Sequence, residues 1–362
     1  MSGKTHVSKG RALRSRKAGL PPGALVPVGE PKTARLGITL IEYGAEEIVE
    51  RGFDTITEAL AYQPRLPTLW LNVYGLPDAE SMSALGRRFQ LHPLVLEDIL
   101  NTDQRPKVND YGDTLYLVAR FFDYDRDSMS VSSDQVSIVL GKNFVLTFQE
   151  RPTGSFDPVR ERLRQARGQI RRLAADYLAY TLLDALVDRY FLVLEQIGER
   201  TELLEDELMH RATPTVLRTL HQLKRETLTL RRAVWPLREV VATLARGEGG
   251  FFRPETLPYL RDVYDHMVHV IESLEAIRDL IAGMLDIYLS SVSNRVNQEV
   301  RMLTVIALIF MPATMVSGIF GMNFRVMPLL ENPVGFYLAL GLMAAIATTL
   351  GIAFWRRRWL VD

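Results

Sequence analysis

The residues best placed to do chemistry form a stripe along one apolar stretch near the C-terminal end of the sequence. Taken at helical intervals, the stripe consists of Asn297, Val300, Thr304, Ala307, Met311, Thr314, Gly318 and Gly321. The bulkier residues Ile306, Ile309, Phe310 and Phe320 fall outside it. A small, polar stripe on a membrane helix either packs against another helix or lines water. The residues alone leave both interpretations open.

From Thr304 onward, the stripe lies in the first of two uncharged runs that are long enough to cross a bilayer. Between Arg301 and Arg325 there are 23 uncharged residues, and 24 more extend from Asn332 to Trp355. At 1.5 Å per residue, either run crosses a hydrocarbon core of ~30 Å, whereas buried helices of soluble proteins seldom exceed about 14 apolar residues. The sequence therefore predicts membrane helices at residues 302–321 and 335–355, joined by an outer loop at 322–334.

Flanking charge predicts the orientation of these helices. Arg295 and Arg301 precede the first run, and the second run is closed by three arginines in a basic tail, residues 356–362. Basic residues favour the cytoplasmic side of a membrane. We therefore expect a protein of the inner cell membrane with both termini in the cytoplasm. Gly321–Asn323 would then lie at the outer face of the membrane.

Upstream of the spans, residues 36–157 show a mixed pattern. β-branched and aromatic residues predict strands at 36–43, 68–74, 114–122, 129–140 and 143–150, with a turn at 141–143. Short helices are expected at 45–52, 56–62, 79–89 and 93–100. The last three strands follow one another closely. The prediction is an α/β cytoplasmic domain that contains an antiparallel meander.

The segment after this domain is predicted to be helical. Residues 158–250 are expected to form a cytoplasmic helical hairpin, helical from Pro158 to Arg246, with an acidic first helix and a basic second one. Residues 251–301 are expected to form a stalk helix that continues into the first span, because no glycine–proline break separates them. Pro312 leaves the Leu308 carbonyl without its helical hydrogen bond.

Composition excludes several classes of function. Lys and Arg total 43 and so do Asp and Glu, so no bias toward nucleic acid is expected. The chain has no cysteine, which excludes disulfides, thiolate zinc sites and cysteine nucleophiles. The first 17 residues carry six basic residues and no acid, and residues 1–35 are expected to be a flexible basic arm rather than a secretory signal.

The motifs of this sequence resemble those of the CorA family of magnesium and cobalt channels, whose mark is Gly-Met-Asn at the end of the first of two C-terminal spans. Here these residues are Gly321, Met322 and Asn323. Other matching segments, in order, are GLPPG at 19–23, HPLVLEDILN at 92–101, QRPKV at 104–108, FDPVRER at 156–162, LLDALVD at 182–188, HQLKR at 221–225, WPLREV at 235–240, LPYLRDVYDH at 257–266, YLSSVSN at 288–294 and MPAT at 311–314. The resemblance covers nearly the whole chain.

The resemblance implies an α/β/α cytoplasmic domain and a funnel-shaped homopentamer in the lipid bilayer. It implies uptake of Mg²⁺, with Co²⁺ and Ni²⁺ as further ions. Gly321, Met322 and Asn323 would be the selectivity filter, and neutral oxygens there suit an ion that keeps its waters. The implied pore-lining residues are Asn297, Val300, Leu303, Met311 and Thr314. A Gly–Asn helix cap is the structural alternative for the filter motif.

The resemblance also implies cytoplasmic sites where regulatory Mg²⁺ binds between subunits. The matching positions are Glu97, Asp98, Asp184 and Asp262, with Asp286 and His266 as further candidates. From the residues alone, each would be interpreted as a solvated surface side chain. The sequence departs from the family in its outer loop, where Leu329 and Arg325 stand at positions that acids can occupy.

Three other functions remain to be compared with this interpretation. The first is a zinc transporter of the same superfamily, disfavoured by Met322 and by the Met-Pro at 327–328. The second is a membrane-anchored enzyme, although the sequence has no phosphate loop, no Gly-x-Ser-x-Gly and no histidine-rich metal motif. The third is a structural anchor, which would not require an oxygen-bearing stripe. The prediction from sequence is a transporter and not an enzyme.

Overall fold

The computed structural model describes residues 19–28, 32–33, 35–322, 328–329 and 332–357. The chain divides into two compact units. The first comprises Met1–Glu205 and Arg218–Ala282, and the second comprises Asp206–Leu217 and Gly283–Asp362.

Within the described ranges, the strands belong to the first unit. They are β1 Gly37–Tyr43, β2 Ile48–Phe53, β3 Thr68–Tyr74, β4 Lys107–Asp110, β5 Leu115–Asp125, β6 Ser130–Leu140 and β7 Phe144–Gln149. The helices are α1 Ile56–Ala61, α2 Ala79–Phe89, α3 Pro93–Leu100, α4 Asp157–Arg164, α5 Ala175–His210, α6 Pro214–Ala245, α7 Leu257–Phe320 and α8 Pro333–Arg356.

The strands form one mixed sheet in the order β2-β1-β3-β7-β6-β5-β4. β5, β6 and β7 are consecutive antiparallel neighbours, which confirms the predicted meander. β3 pairs with β7 in parallel, with Leu69 opposite Phe144 and Tyr74 opposite Gln149. This pairing joins the N-terminal strands to the meander in a single sheet.

Helices cover both faces of the sheet, which confirms the expected α/β/α layering. On one face, buried residues of α1–α3 such as Met82, Leu85 and Ile99 share a core with strand residues such as Leu71 and Val118. On the other face, Trp70 packs edge-on against Phe156 just before α4, with ring centroids 6.0 Å apart. Toward the end of β5, Phe122 packs edge-on against Tyr190 of α5, with ring centroids 5.5 Å apart.

The helix predicted at residues 45–52 is wrong, because this segment contains β2. Its alanine, glutamate and arginine content favours a helix locally. In the fold, Gly44 donates a backbone hydrogen bond to the Glu47 carbonyl at 2.9 Å, and the chain turns back to pair with β1. β2 is an edge strand, where exposed charged side chains such as Glu50 are well tolerated. Backbone pairing therefore overrides the local propensity.

Two further details differ from the sequence prediction. The chain is not helical throughout from Pro158, since α4 ends at Arg164 and α5 begins only at Ala175. Between them Gly168 has φ 67°, a left-handed conformation that glycine adopts without a steric penalty. The short strand β4, from the QRPKV segment, was also missing from the prediction.

The long helices follow the predicted pattern closely. α7 runs for 64 residues, so the stalk and the first span belong to one helix. Pro312 lies inside it without ending it. Both α7 and α8 are long and apolar enough to cross a membrane, and their apolar stretches are almost entirely exposed. Phe310 of α7, for example, is 65% exposed.

Candidate functional site

The first candidate site is one face of α7. Asn297, Val300, Leu303, Met311 and Thr314 all lie on this helix and are all exposed. At 100° per residue, the five positions fall within an arc of about 120°. The side chains predicted to line a pore therefore share one face.

The opposite face of α7 is the one that the chain itself covers. Val305, Ile309, Pro312, Val316 and Phe320 cluster there by the same angular spacing. Val305 is only 1% exposed, and the other four are partly buried.

The helix α8 faces this covered side. A largely apolar cavity of about 640 Å³ is lined by Val316 and Phe320 of α7 and by Phe336, Ala339 and Met343 of α8. The face of α7 that carries Asn297, Thr304 and Thr314 is called the oxygen-bearing face below. Within one chain, the second span leaves this face uncovered.

The threonines on the uncovered face have their protons engaged within the helix. Thr304 donates its hydroxyl hydrogen bond to the Val300 carbonyl at 2.8 Å, and Thr314 donates to the Phe310 carbonyl at 2.9 Å. A hydroxyl oxygen that donates in this way still has lone pairs that can accept. The face therefore presents neutral acceptors, which suit the outward-pointing protons of water around a cation.

The helix ends where the Gly-Met-Asn motif begins. α7 stops at Phe320, and the backbone N–H groups of Gly321 and Met322 bond the carbonyls of Ser317 and Ile319 at 2.9 and 3.3 Å. Asn323 and Arg325 lie outside the described residues. The motif thus starts at the last turn of the predicted pore helix.

The second candidate site is a group of carboxylate and imidazole side chains in the first unit, called the acidic group below. Asp184 and Asp188 of α5 and His266 of α7 offer ligand atoms that all lie within 4.8 Å of one another. Asp262 is one turn before His266, and its Oδ2 is 3.9 Å from His266 Nε2. The helices α5 and α7 therefore each contribute a pair of residues spaced four apart.

The surroundings of His266 fit a ligand role. Its ring packs edge-on against Phe191, with centroids 5.9 Å apart. Its Nδ1 is buried and has no hydrogen-bond partner in the described part of the chain. Carboxylates suit Mg²⁺, and an added imidazole suits Co²⁺. The residues present could therefore hold either ion.

The electrostatics of this group also favour a cation. Burial, followed by the negative charge of Asp188, raises the pKa of Asp184 to about 6. Arg162 and His266 oppose the shift, and Asp262 adds to it. At neutral pH, Asp184 is thus ionised at a cost that a bound divalent ion would offset.

The structure places the other predicted regulatory acids elsewhere. Asp98 Oδ2 lies 2.6 Å from Lys107 Nζ, and Gln104 donates to the other carboxylate oxygen of Asp98. Glu97 accepts a hydrogen bond from the backbone N–H of Gly23 at 2.5 Å. Neither acid joins the Asp184 group, and Asp286 is exposed on α7.

Asp188 is the member of this group that the sequence reasoning missed. It lies in the LLDALVD motif, four residues after Asp184, so both carboxylates occupy one face of α5. The same spacing relates Asp262 to His266. The four-residue spacing within each pair was the sequence feature that could have indicated this site.

Replacing Asp184 by asparagine is expected to stabilise the metal-free protein above pH 6 and not at pH 4. The folded state holds a proton on Asp184 up to about pH 6, whereas the same carboxyl in the unfolded chain titrates at its ordinary pKa of 3.8. Stability is therefore lost as pH rises through this interval, by on the order of 1–3 kcal/mol at its upper end. The measurement is the unfolding temperature in detergent with EDTA at pH 4 and pH 8.

Asp265→Asn is the matched control, because Asp265 is an exposed acid on α7 next to His266. This control should change the unfolding temperature little at either pH. Equal effects of Asp184→Asn at both pH values would contradict the assignment of a half-buried carboxylate that Asp188 repels.

Together, the fold and these two sets of residues define a two-span membrane protein with a carboxylate-rich site of the kind that holds divalent cations. The family described as CorA-like Mg²⁺ transporter protein matches residues 68–358 of the chain. This chain belongs to that family.

Known relatives match most of the chain. The chain is 43% identical over 346 residues to the cobalt/magnesium transport protein CorA of Thermotoga maritima, covering 96% of this chain and 98% of that protein. It is 32% identical to the putative metal ion transporter YfjQ of Bacillus subtilis, covering 82% and 91%. The complete structure of the CorA magnesium transporter from Methanocaldococcus jannaschii matches with a TM-score of 0.74 at 22% identity, over 90% of this chain and 99% of that one.

Proposed function

We propose that this protein is a channel that carries Mg²⁺, and also Co²⁺, into the cell across the inner membrane. The observation that carries the proposal is the uncovered oxygen-bearing face of α7, which contains all five predicted pore residues. The naming of the Thermotoga maritima relative as a cobalt/magnesium transport protein supports the choice of ions.

The chemistry of this face suits an ion that keeps its water. Mg²⁺ demands octahedral geometry and gives up its waters reluctantly. Threonine hydroxyls and, at the outer end, the Asn323 amide and Gly321 carbonyl can accept hydrogen bonds from those waters. Neutral acceptors attract a cation without trapping it, which conduction requires.

A single helix face cannot enclose a pore, so the proposal requires several copies of the chain. The family resemblance supports five, with the α7 helices in the centre and α8 outside them. Charge supports an orientation with both termini in the cytoplasm, because Arg295, Arg301 and Arg356 lie at one end of the spans.

We also propose that cytoplasmic Mg²⁺ closes the channel. The group of Asp184, Asp188, Asp262 and His266 would bind the ion, and Asp98 of a neighbouring copy would complete the closing contact. For Asp98 to take part, its carboxylate must break the ion pair with Lys107 and bind the metal ion instead. α7 contains both Asp262 and the pore residues in one unbroken helix, which would couple binding to gating.

The alternatives are less well supported. No observation on this chain favours zinc as the transported ion. The family consists of transporters, which agrees with the prediction that the chain is not an enzyme. A purely structural anchor leaves the acidic group and the oxygen-bearing face without a role.

Reconstituted liposomes test the function directly. With an inside-negative potential, we expect the purified full-length protein to carry Mg²⁺ and Co²⁺ inward, detected by an ion-sensitive dye inside the vesicles. Uptake of Zn²⁺ alone would favour the zinc alternative. Absence of any ion-dependent signal from correctly inserted protein would refute the transport function.

Introduced cysteines can test which face of α7 lines the pore, because the chain has no cysteine of its own that a thiol reagent would modify. Thr314→Cys is expected to lose Mg²⁺ flux by about tenfold after treatment with a water-soluble thiol reagent, because the reagent reaches a water-lined face and narrows it. Val316→Cys is the matched control, since Val316 lies on the covered face beside α8. Block at position 316 and not at 314 would show that the pore uses another face of the helix.

A further inference from the structure

A cavity in the first unit shares no lining residue with the acidic group and has the opposite charge. It has a volume of about 630 Å³ and lies between the sheet and α6. Its polar lining includes three arginines, Arg105, Arg120 and Arg232. Pockets of this size hold small organic ligands. Arg105 belongs to the QRPKV motif, but the proposed transport function assigns no role to Arg105 itself.

Two of the three arginines are available for a ligand. Arg105 and Arg232 are exposed, and neither forms an ion pair with any residue in the described ranges. Asp103 contributes the only carboxylate among the described lining residues, and its side chain is 62% exposed. Positive charge therefore predominates in the cavity.

The third arginine is held in place. Arg120 is 16% exposed, and its Nη1 donates to the Thr102 carbonyl at 3.0 Å. Its nearest carboxylate oxygens, on Asp103 and Glu150, are 3.6 and 3.9 Å away. Glu150 lies closer to Lys32, at 3.1 Å. The nearby carboxylates therefore neutralise the charge of Arg120 only in part, while the hydrogen bond to Thr102 fixes its position.

The rest of the lining is also pre-organised. Gln104, beside Arg105, donates its backbone N–H to the Gln135 side chain at 3.2 Å and its side-chain amide to Asp98. Pro106, Phe122 and Ala233 form a buried apolar wall. Charged hydrogen bonds gain strength beside such a wall because water screens them less.

We propose that this cavity binds a small anion with a chain of phosphoryl groups, of the class of inorganic triphosphate and nucleoside triphosphates. Guanidinium groups bind phosphate oxygens through paired N–H donors, and separate arginines match an anion with several charged groups. The Ser133 hydroxyl, which forms no side-chain hydrogen bond with the described residues, adds a neutral donor. The proposal does not depend on the transport function.

The test is calorimetric titration of the full-length protein in detergent with EDTA present, so that no Mg²⁺ complicates the binding. Sodium ATP and sodium triphosphate are titrated separately. We expect one site per chain and an affinity that weakens as salt is added. Equal binding of both anions identifies the phosphate chain as the recognised part. Binding of ATP alone means that the nucleoside contributes as well, within the proposed class.

The double variant Arg105→Gln/Arg232→Gln is expected to lose at least about tenfold in affinity, since two charge-assisted contacts are removed. Arg87→Gln/Arg88→Gln is the matched control, because it removes two exposed arginines of α2 that do not line the cavity. Thr229→Glu, which adds a carboxylate at an exposed lining position, should also weaken binding, and it serves if the double variant does not fold. Failure of both anions to bind wild type, or equal affinity in the cavity and control variants, would overturn the proposal.

Discussion

Asn323→Ala is expected to reduce Mg²⁺ flux in liposomes by about a hundredfold or more while the oligomer stays intact. Under the proposed mechanism, each copy of the chain loses the amide oxygen that meets the hydrated ion. Each lost hydrogen bond is worth on the order of 1 kcal/mol, and losses around a ring multiply in their effect on rate. Size-exclusion chromatography and flux are measured on the same preparation.

Asn332→Ala is the matched control for this variant. The Asn332 side chain accepts a hydrogen bond from the Val334 backbone N–H at 3.0 Å and so caps α8. Losing a cap costs about 1 kcal/mol of stability and removes no proposed ion contact. Wild-type flux in an assembled Asn323→Ala protein would exclude Asn323 from the filter.

Asp262→Lys is expected to hold the channel closed without Mg²⁺. Asp262 lies 3.9 Å from His266 within the acidic group, so a lysine there supplies permanently the positive charge that a bound ion would bring. In the proposed closing contact, the Asp262 carboxylate and the Asp98 carboxylate of a neighbouring copy would repel each other. At a separation of ~4 Å, this repulsion is roughly 1–4 kcal/mol, depending on the effective dielectric. In the proposed pentamer, five such sites together contribute about 5–20 kcal/mol, which is comparable to or larger than the ~5.5 kcal/mol needed to switch a two-state gate. We expect resistance to protease in EDTA and at least about tenfold lower uptake.

Asp265→Lys provides the comparison, because it makes the same change at an exposed acid three residues further along α7. It should remain protease-sensitive in EDTA and gain protection from Mg²⁺ as the wild type does. An Asp262→Lys protein that conducts normally, and that Mg²⁺ still protects, would place the sensing site elsewhere.

The sequence by itself determined the elements whose signal is local. Two uncharged runs predicted the two spans, because crossing a bilayer depends on length and hydrophobicity alone. The absence of a glycine–proline break between the stalk and the first span predicted one continuous helix, and α7 runs from Leu257 to Phe320. Helical spacing also predicted that the oxygen-bearing residues share one face, because the α-helix has a regular repeat.

Only the tertiary structure decided which partners each element meets. The 45–52 segment becomes β2 because the edge of β1 supplies its backbone partners, which local composition does not report. Periodicity could not show which side of α7 is covered. That depended on α8, whose residues lie against the side that includes Val316 and Phe320.

The candidate metal group shows the same limit. Asp184 and Asp188 are paired by helical spacing along α5, but His266 lies 78 residues further along the chain from Asp188 and joins them only through packing. Tertiary structure likewise brings Lys107 to Asp98, giving a predicted metal ligand a cationic partner within its own chain. Sequence spacing predicts which side chains share an element, whereas contacts between distant segments set the charge that each side chain experiences.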